Sequence, residues 1–146
     1  MRVAEMAREE TVVDAPAYKV MQVIGDFERY PDWAQNVKEV TVRERDPQGR
    51  PSQVWYRVDA WIMAITYVLA YEYEESRLTW HLVEGDQLEV LSGEYLLLEE
   101  DGGTRVRYTL EVEVAFPLPG FLKQRAAKLI LETGLGDLKR RAESLA

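Results

Sequence analysis

The stretch that decides the fold is PGFLKQRAAKLILETGLGDLKRRAESL, residues 119–145. It predicts one helix about 40 Å long, with Pro119 in the first turn, where no backbone N–H is needed. Two apolar stripes follow helical spacing, one over Leu122, Ala126, Leu129, Ile130 and Thr133 and the other, round its side, over Leu131, Leu135, Leu138, Ala142 and Leu145. Because such a helix is unstable alone in water, it must pack against a larger surface.

Most of the chain before this helix predicts β-strands. Residues 2–13 predict a first strand, and two short helical segments follow as far as Trp33, the first of them capped by Asp14. From Val37 onward, apolar and polar residues alternate with a period of two in six further strands joined by tight turns. The order β-αα-β6-α, with about seven strands, predicts an α+β fold. We expect one domain, residues 1–146, in which an antiparallel sheet packs around the long helix.

The composition argues against several classes of protein. The chain has 146 residues with 18 lysines and arginines against 26 acidic residues, and a net charge of −8 disfavours nucleic acid as a partner. No cysteine is present, so disulfides, thiolate nucleophiles and thiolate metal sites are excluded. No apolar run approaches the length of a membrane span, and the N-terminus lacks the apolar core of a signal peptide. We therefore expect no integral membrane segment and a cytoplasmic location.

Tyrosines dominate the inner face that alternation assigns to the sheet. This face carries six of the eight tyrosines together with one tryptophan: Tyr56, Tyr67, Tyr71, Tyr73, Tyr95, Tyr108 and Trp80. A core filled only for stability would use mainly Leu, Ile, Val and Phe, because a buried tyrosine hydroxyl needs a partner. Two interpretations remain open. The face lines a cavity for a flat or amphipathic apolar ligand, or the tyrosines reach solvent at the rim of an ordinary packed core.

On the first interpretation, side chains of the sheet and of the long helix line one pocket. The predicted ligand-binding residues are Tyr56, Val58, Tyr67, Leu69, Tyr71, Trp80, Leu82, Tyr95, Leu129, Ile130 and Gly134. Gly134 stands where the two apolar stripes of the helix meet. A glycine inside a helix costs about 1 kcal/mol relative to alanine, so we expect it to allow the sheet or a ligand close to the helix backbone.

Catalytic residues are hard to identify in this sequence. His81 is the single histidine, and alternation places it opposite Trp80, on the outer face. Asp59, Glu111 and Glu113 also alternate outward, which leaves no carboxylate pair on the inner face. Metal-binding spacings, phosphate-binding glycine motifs and the Gly-x-Ser-x-Gly motif do not occur. We predict no catalytic residue, no metal site and no cofactor.

Six short motifs resemble a known family in their order and spacing. They are VDAP at 13–16, IGDFERYPDW at 24–33, WHLVEGD at 80–86, GEY at 93–95, GTRV at 103–106 and FPLPGFL at 116–122. Together they resemble the polyketide cyclase/dehydrase and lipid-transport family of the START-like (SRPBCC) superfamily. The resemblance implies the helix-grip fold, an antiparallel sheet wrapped around a long C-terminal helix with a cavity between them.

Three functions are compatible with this resemblance, since the family includes lipid and sterol carriers, ubiquinone-binding proteins, plant hormone receptors and polyketide aromatase/cyclases. The leading hypothesis is a noncatalytic binder or carrier of a small hydrophobic ligand such as a lipid, a quinone or a polyketide. The second is an enzyme, an aromatase/cyclase or dehydrase. The third is a partner-regulated module with a vestigial cavity. We expect a monomer or a homodimer.

Overall fold

A seven-stranded antiparallel sheet and one long helix account for most of the chain. The computed structural model describes residues 5–60 and 63–145. The strands are β1 (Glu5–Val13), β2 (Val37–Arg45), β3 (Pro51–Ala60), β4 (Met63–Glu74), β5 (Arg77–Glu84), β6 (Leu88–Glu100) and β7 (Gly103–Val114). The helices are α1 (Ala17–Gly25), a 3₁₀ turn (Phe27–Arg29), α2 (Tyr30–Trp33) and α3 (Gly120–Leu145). The predicted α+β class and the predicted order β-αα-β6-α are confirmed; residues 2–4 of the predicted first strand lie outside the described residues.

Strands β2 to β7 form a meander, and β1 adds to it as an edge strand beside β7. The strand order is β1-β7-β6-β5-β4-β3-β2, so β1 pairs with the last strand and α1 and α2 cross to the opposite edge. The register places Tyr71 opposite Trp80 and Tyr95 opposite Tyr108. Since side chains directly opposite each other in adjacent strands point to the same face, the aromatic residues of several strands meet on one side of the sheet.

Helix α3 lies along the β1–β7 edge of the sheet, with which it makes its most extensive contacts. Its buried face consists of Ala127, Leu131, Leu135, Asp137, Leu138 and Ala142, which includes most of the second predicted stripe. Leu129 and Ile130 lie outside this buried face and are 52% and 43% exposed. At 3.6 residues per turn, Leu129 points nearly opposite to Leu131, so only one of the two stripes can face the sheet.

The ends of two helices differ in detail from the sequence prediction. Pro16 precedes α1 as its N-cap, and no side chain caps this helix. Asp14 was predicted to do so, but its backbone N–H instead donates to Glu143 Oε2 at 2.8 Å and ties the end of α3 to the end of β1. Helix α3 begins at Gly120, one residue after Pro119.

Candidate ligand-binding site

An aromatic cluster extends across the inner face of the sheet from β3 to β7. The distances between ring centroids are 5.3 Å for Tyr56–Tyr67, 6.1 Å for Tyr71–Trp80, 5.3 Å for Trp80–Tyr95 and 4.5 Å for Tyr95–Tyr108. Their tilted geometries are those that aromatic quadrupoles favour. The alternation of the strands therefore produces one connected aromatic surface.

One end of this surface is closed by the segment between α1 and β2. The Phe27 ring lies 4.3 Å from that of Tyr71, and Tyr30 stacks between Phe27 at 5.4 Å and Trp33 at 4.9 Å. Phe27 is almost completely buried, whereas Tyr30 and Trp33 keep some exposed surface. These rings fill the space between sheet and helices at this end.

The inner face is less covered on β3, β4 and β5. Strand β4 lies three strand positions from β7, about 14 Å at the usual spacing, and α3 makes its main contacts on β1 and β7. Four residues of these strands pack against the core but keep part of their surface exposed: Val58, Ile65, Tyr67 and Leu82. They form a partly open apolar surface beside the aromatic cluster.

Most tyrosine hydroxyls around the cluster are used within the protein. Tyr56 and Tyr71 share a hydrogen bond of 2.5 Å, Tyr30 donates to the carbonyl of Ile24, and Tyr73 donates to the carbonyl of Pro51. These bonds give the buried hydroxyls the hydrogen-bond partners that they need. The core can therefore hold several tyrosines without leaving their hydroxyls unsatisfied.

Burial also raises the pKa values of Tyr95, Tyr108 and Tyr67. Burial, and after it the Tyr108 hydroxyl among other tyrosines, raises the pKa of Tyr95. Burial raises the pKa of Tyr108 to about 12, against the lowering effect of a hydrogen bond with Tyr95. Burial also raises the pKa of Tyr67, with a smaller contribution from Tyr108 and none from any hydrogen bond. All three groups are thus uncharged at neutral pH and able to donate a hydrogen bond.

The predicted ligand-binding residues of the sheet share the inner face. Tyr56, Leu69, Tyr71 and Trp80 are buried, and Val58, Tyr67, Leu82 and Tyr95 are partly exposed. Gly134 of α3 lies against the Tyr108 ring. Leu129 and Ile130 lie outside the buried face of α3. For all of the predicted residues, contact with a ligand stays a prediction.

Two buried carboxylates escaped sequence reasoning. Glu113 was predicted to face outward, yet it is 3% exposed and its Oε1 accepts a hydrogen bond from Lys123 Nζ at 3.1 Å. Asp137 is 2% exposed and accepts bonds from the backbone N–H and the side-chain amide of Gln35, at 3.0 and 2.8 Å, and from Arg140. Both carboxylates connect α3 to other segments. Nothing in the apolar spacing of α3 indicates that Asp137, which directly precedes Leu138, is buried.

A groove outside the predicted site opens between α1 and the ends of three strands. It has a volume of about 930 Å³ and a mixed lining, in which Tyr18, Met21 and Leu97 stand beside the charged Asp26, Arg50, Glu74, Glu75 and Glu99. The guanidinium of Arg50 stacks over the Tyr73 ring at 4.6 Å, at the edge of the groove. The exposed Tyr18 on an otherwise amphipathic helix is the sequence signal that could have indicated it.

The single histidine of the chain lies away from the inner face of the sheet. His81 is exposed on the outer face, as predicted. Among residues 5–60 and 63–145, no three His, Cys, Asp or Glu side chains are grouped in a way that could hold a metal ion. No helix in these ranges is both long and apolar enough to cross a membrane.

Known proteins share both the sequence pattern and the fold of this chain. The family described as polyketide cyclase / dehydrase and lipid transport matches residues 6–143. A START superfamily protein from Mycobacterium smegmatis superposes with a TM-score of 0.91 and 26% identity over 97% of this chain and 99% of its own. The Zhui aromatase/cyclase from a Streptomyces species superposes with a TM-score of 0.81 and 17% identity, over 96% of this chain and 94% of its own. Major latex-like protein 151 from Panax ginseng superposes with a TM-score of 0.73 and 12% identity, over 97% of this chain and 99% of its own. No curated protein matches this sequence.

Proposed function

Because the chain belongs to the polyketide cyclase/dehydrase and lipid-transport family, we propose that it binds or carries a small hydrophobic ligand, such as a lipid, a quinone or a polyketide-like molecule. The ligand lies against the inner face of the sheet, beside α3. The observation that carries the proposal is the partly open apolar surface of Val58, Ile65, Tyr67 and Leu82 beside a connected aromatic cluster. Binding sites for small molecules combine such apolar walls with few polar groups.

Binding explains this surface better than catalysis does. A general acid or base works best when its pKa lies near the operating pH. The tyrosines of the inner face depart from that condition, since burial raises the pKa of Tyr67, Tyr95 and Tyr108 further from neutrality. Their hydroxyls suit recognition of a ligand rather than proton transfer.

A pair of adjacent β4 residues provides a matched test. Ile65 lies on the inner face opposite Val58, whereas Thr66 is exposed on the outer face opposite Arg57. Ile65→Glu and Thr66→Glu add the same charge at neighbouring positions, one inside the proposed site and one outside it. Titration of the purified variants with Nile red, an uncharged hydrophobic probe, should show loss of binding for Ile65→Glu only. Equal binding by both variants would place the probe elsewhere.

Native mass spectrometry of the protein from its own host then identifies the ligand. We expect a molecule of apolar character to co-purify with the unmodified protein and with the Thr66→Glu variant, but not with the Ile65→Glu variant. Binding measured by calorimetry should have a negative heat-capacity change because apolar surface is buried. Absence of any bound molecule, together with no probe binding by the unmodified protein, would contradict the proposed function and favour a module with a vestigial cavity.

A further inference from the structure

We infer that the hydroxyl of Tyr67 binds an oxygen atom of the ligand, and that the ligand is therefore an uncharged molecule with an apolar body and a carbonyl group. This inference rests on the proposed function. It assigns to one side chain the recognition of one polar group, and it distinguishes carbonyl-bearing ligands from pure hydrocarbons and from carboxylates.

The Tyr67 hydroxyl is unlike those of the neighbouring tyrosines. Tyr56 and Tyr71 bond to each other, and Tyr73 bonds to a backbone carbonyl. Within the described part of the chain, Tyr67 has no such hydrogen bond. The buried side-chain atoms without a partner there are Arg77 Nε, Gln87 Oε1 and Glu113 Oε2, and the Tyr67 oxygen is not among them. Tyr67 as a residue is partly exposed, and its hydroxyl has no hydrogen-bond partner within the described residues, so this donor is free to bond to a ligand.

The position of Tyr67 is fixed by its surroundings. On one side its ring lies 5.3 Å from that of Tyr56, its partner in β3. On the other side Gly85, in the turn after β5, approaches so closely that an added Cβ would stand 3.0 Å from Tyr67 Cβ. A group held in this way loses little freedom when it forms a hydrogen bond, which favours its use in recognition.

The charge state of the site selects the kind of ligand. Burial keeps the Tyr67 phenol protonated by raising its pKa, and Tyr108 adds to the effect, while no basic side chain opposes it. A protonated phenol donates to a carbonyl oxygen. A ligand carboxylate would have to lose its hydration beside aromatic rings without a cation to compensate, which is costly. An uncharged ketone or quinone satisfies the donor without that cost.

The test compares fluorenone with fluorene, two flat molecules that differ by one carbonyl group. Calorimetric titration of the unmodified protein should give tighter binding of fluorenone. Tyr67→Phe should weaken fluorenone binding about 3- to 10-fold, as expected for loss of one hydrogen bond, and leave fluorene binding unchanged. Tyr73→Phe is the matched control, because that hydroxyl bonds to Pro51, and it should leave both affinities unchanged.

Each other outcome has one meaning. If the unmodified protein binds both molecules equally, or if Tyr67→Phe weakens both to the same extent, the role assigned to Tyr67 is wrong while the proposed function stands. If a fluorene carboxylate binds more tightly than fluorenone, the uncharged ligand class is wrong. If the unmodified protein binds none of the three molecules, the proposed function fails, and this inference fails with it. Circular dichroism of each variant verifies that the single-oxygen changes preserve the fold.

Discussion

The edge of the Tyr108 ring lies 3.2 Å from the position that a Cβ at Gly134 would occupy. This is tighter than nine in ten contacts of real Cβ atoms, so the ring would have to move by a few tenths of an ångström. The ring has little room to retreat, because Tyr95 stands 4.5 Å away and Trp80 5.7 Å away, measured between centroids. The glycine therefore allows α3 to approach the aromatic cluster at this point.

Substituting Gly134 by alanine should destabilise the protein. The added methyl overpacks the contact with Tyr108 at a cost of about 1–3 kcal/mol, partly offset by about 1 kcal/mol of better helix propensity. Gly136→Ala is the control, since its Cβ would meet only the flexible end of Arg140 at 3.6 Å, and it should gain stability. Urea unfolding measures both changes. A stabilised Gly134→Ala protein would mean that the Tyr108 ring moves aside freely.

Gly93→Ala should be more damaging. A Cβ there would stand 2.5 Å from the carbonyl oxygen of Thr109 and 2.6 Å from the Trp80 indole, distances that real Cβ atoms do not show. The backbone or the indole has to shift, and we expect a loss of about 3 kcal/mol or more, together with altered tryptophan fluorescence. Gly120→Ala, where no atom lies within 4 Å, is the control. Near-normal stability of Gly93→Ala would refute the close packing of Trp80 on β6.

Alkaline pH should destabilise the fold steeply. Burial raises the pKa values of seven tyrosines above the usual 10: Tyr30, Tyr56, Tyr67, Tyr71, Tyr73, Tyr95 and Tyr108. The folded state thus keeps protons that the unfolded state loses, so stability is complete below about pH 10 and falls as pH rises, by about 1.4 kcal/mol per pH unit for each such group.

The measurement is urea unfolding between about pH 8 and about pH 11, with tyrosinate absorbance followed in parallel. Absorbance of the phenolates should rise together with unfolding, since Tyr73 and Tyr108 have pKa values of about 12 while folded. Ionisation of most tyrosines in a protein that remains folded would contradict the burial of the cluster.

Removing the ammonium group of Lys123 should destabilise the protein, because Glu113 is buried and paired with it. The carboxylate is 3% exposed and Lys123 is its hydrogen-bonded cation, so Lys123→Met leaves a buried charge uncompensated and should cost about 1–3 kcal/mol. The double variant Lys123→Met/Glu113→Gln should recover part of the loss, which a double-mutant cycle measures. Additive effects of the two changes would show that the pair is uncoupled.

His81→Ala should leave the protein almost unaffected. The imidazole is exposed on the outer face, so we expect a change in unfolding free energy within about 0.5 kcal/mol and unchanged Nile red binding. The controls are the two β4 variants described above. A large loss of ligand binding in His81→Ala would require a catalytic or binding role that its position does not support.

Local periodicity was enough to predict the order of elements and the inner face. Alternation along a strand is a property of the backbone, so the sequence placed Tyr56 and Trp80 on one face without knowledge of their neighbours. The same local rule predicted that His81 points outward. The length of α3 followed from its apolar spacing and its position at the end of a series of strands.

Contacts between distant segments decided the rest. Two stripes on α3 satisfied helical spacing equally, and only packing against β1 and β7 selected the one containing Leu131 over the one containing Leu129. Alternation placed Glu113 outside, but Lys123 of the next element covers it at the end of β7. The difference between Tyr56, whose hydroxyl bonds to Tyr71, and Tyr67, whose hydroxyl has no partner within the described residues, likewise depends on which side chains meet across the sheet. Strand and helix geometry repeats within a few residues and is encoded locally, whereas burial and hydrogen-bond partners depend on atoms brought together from far along the chain.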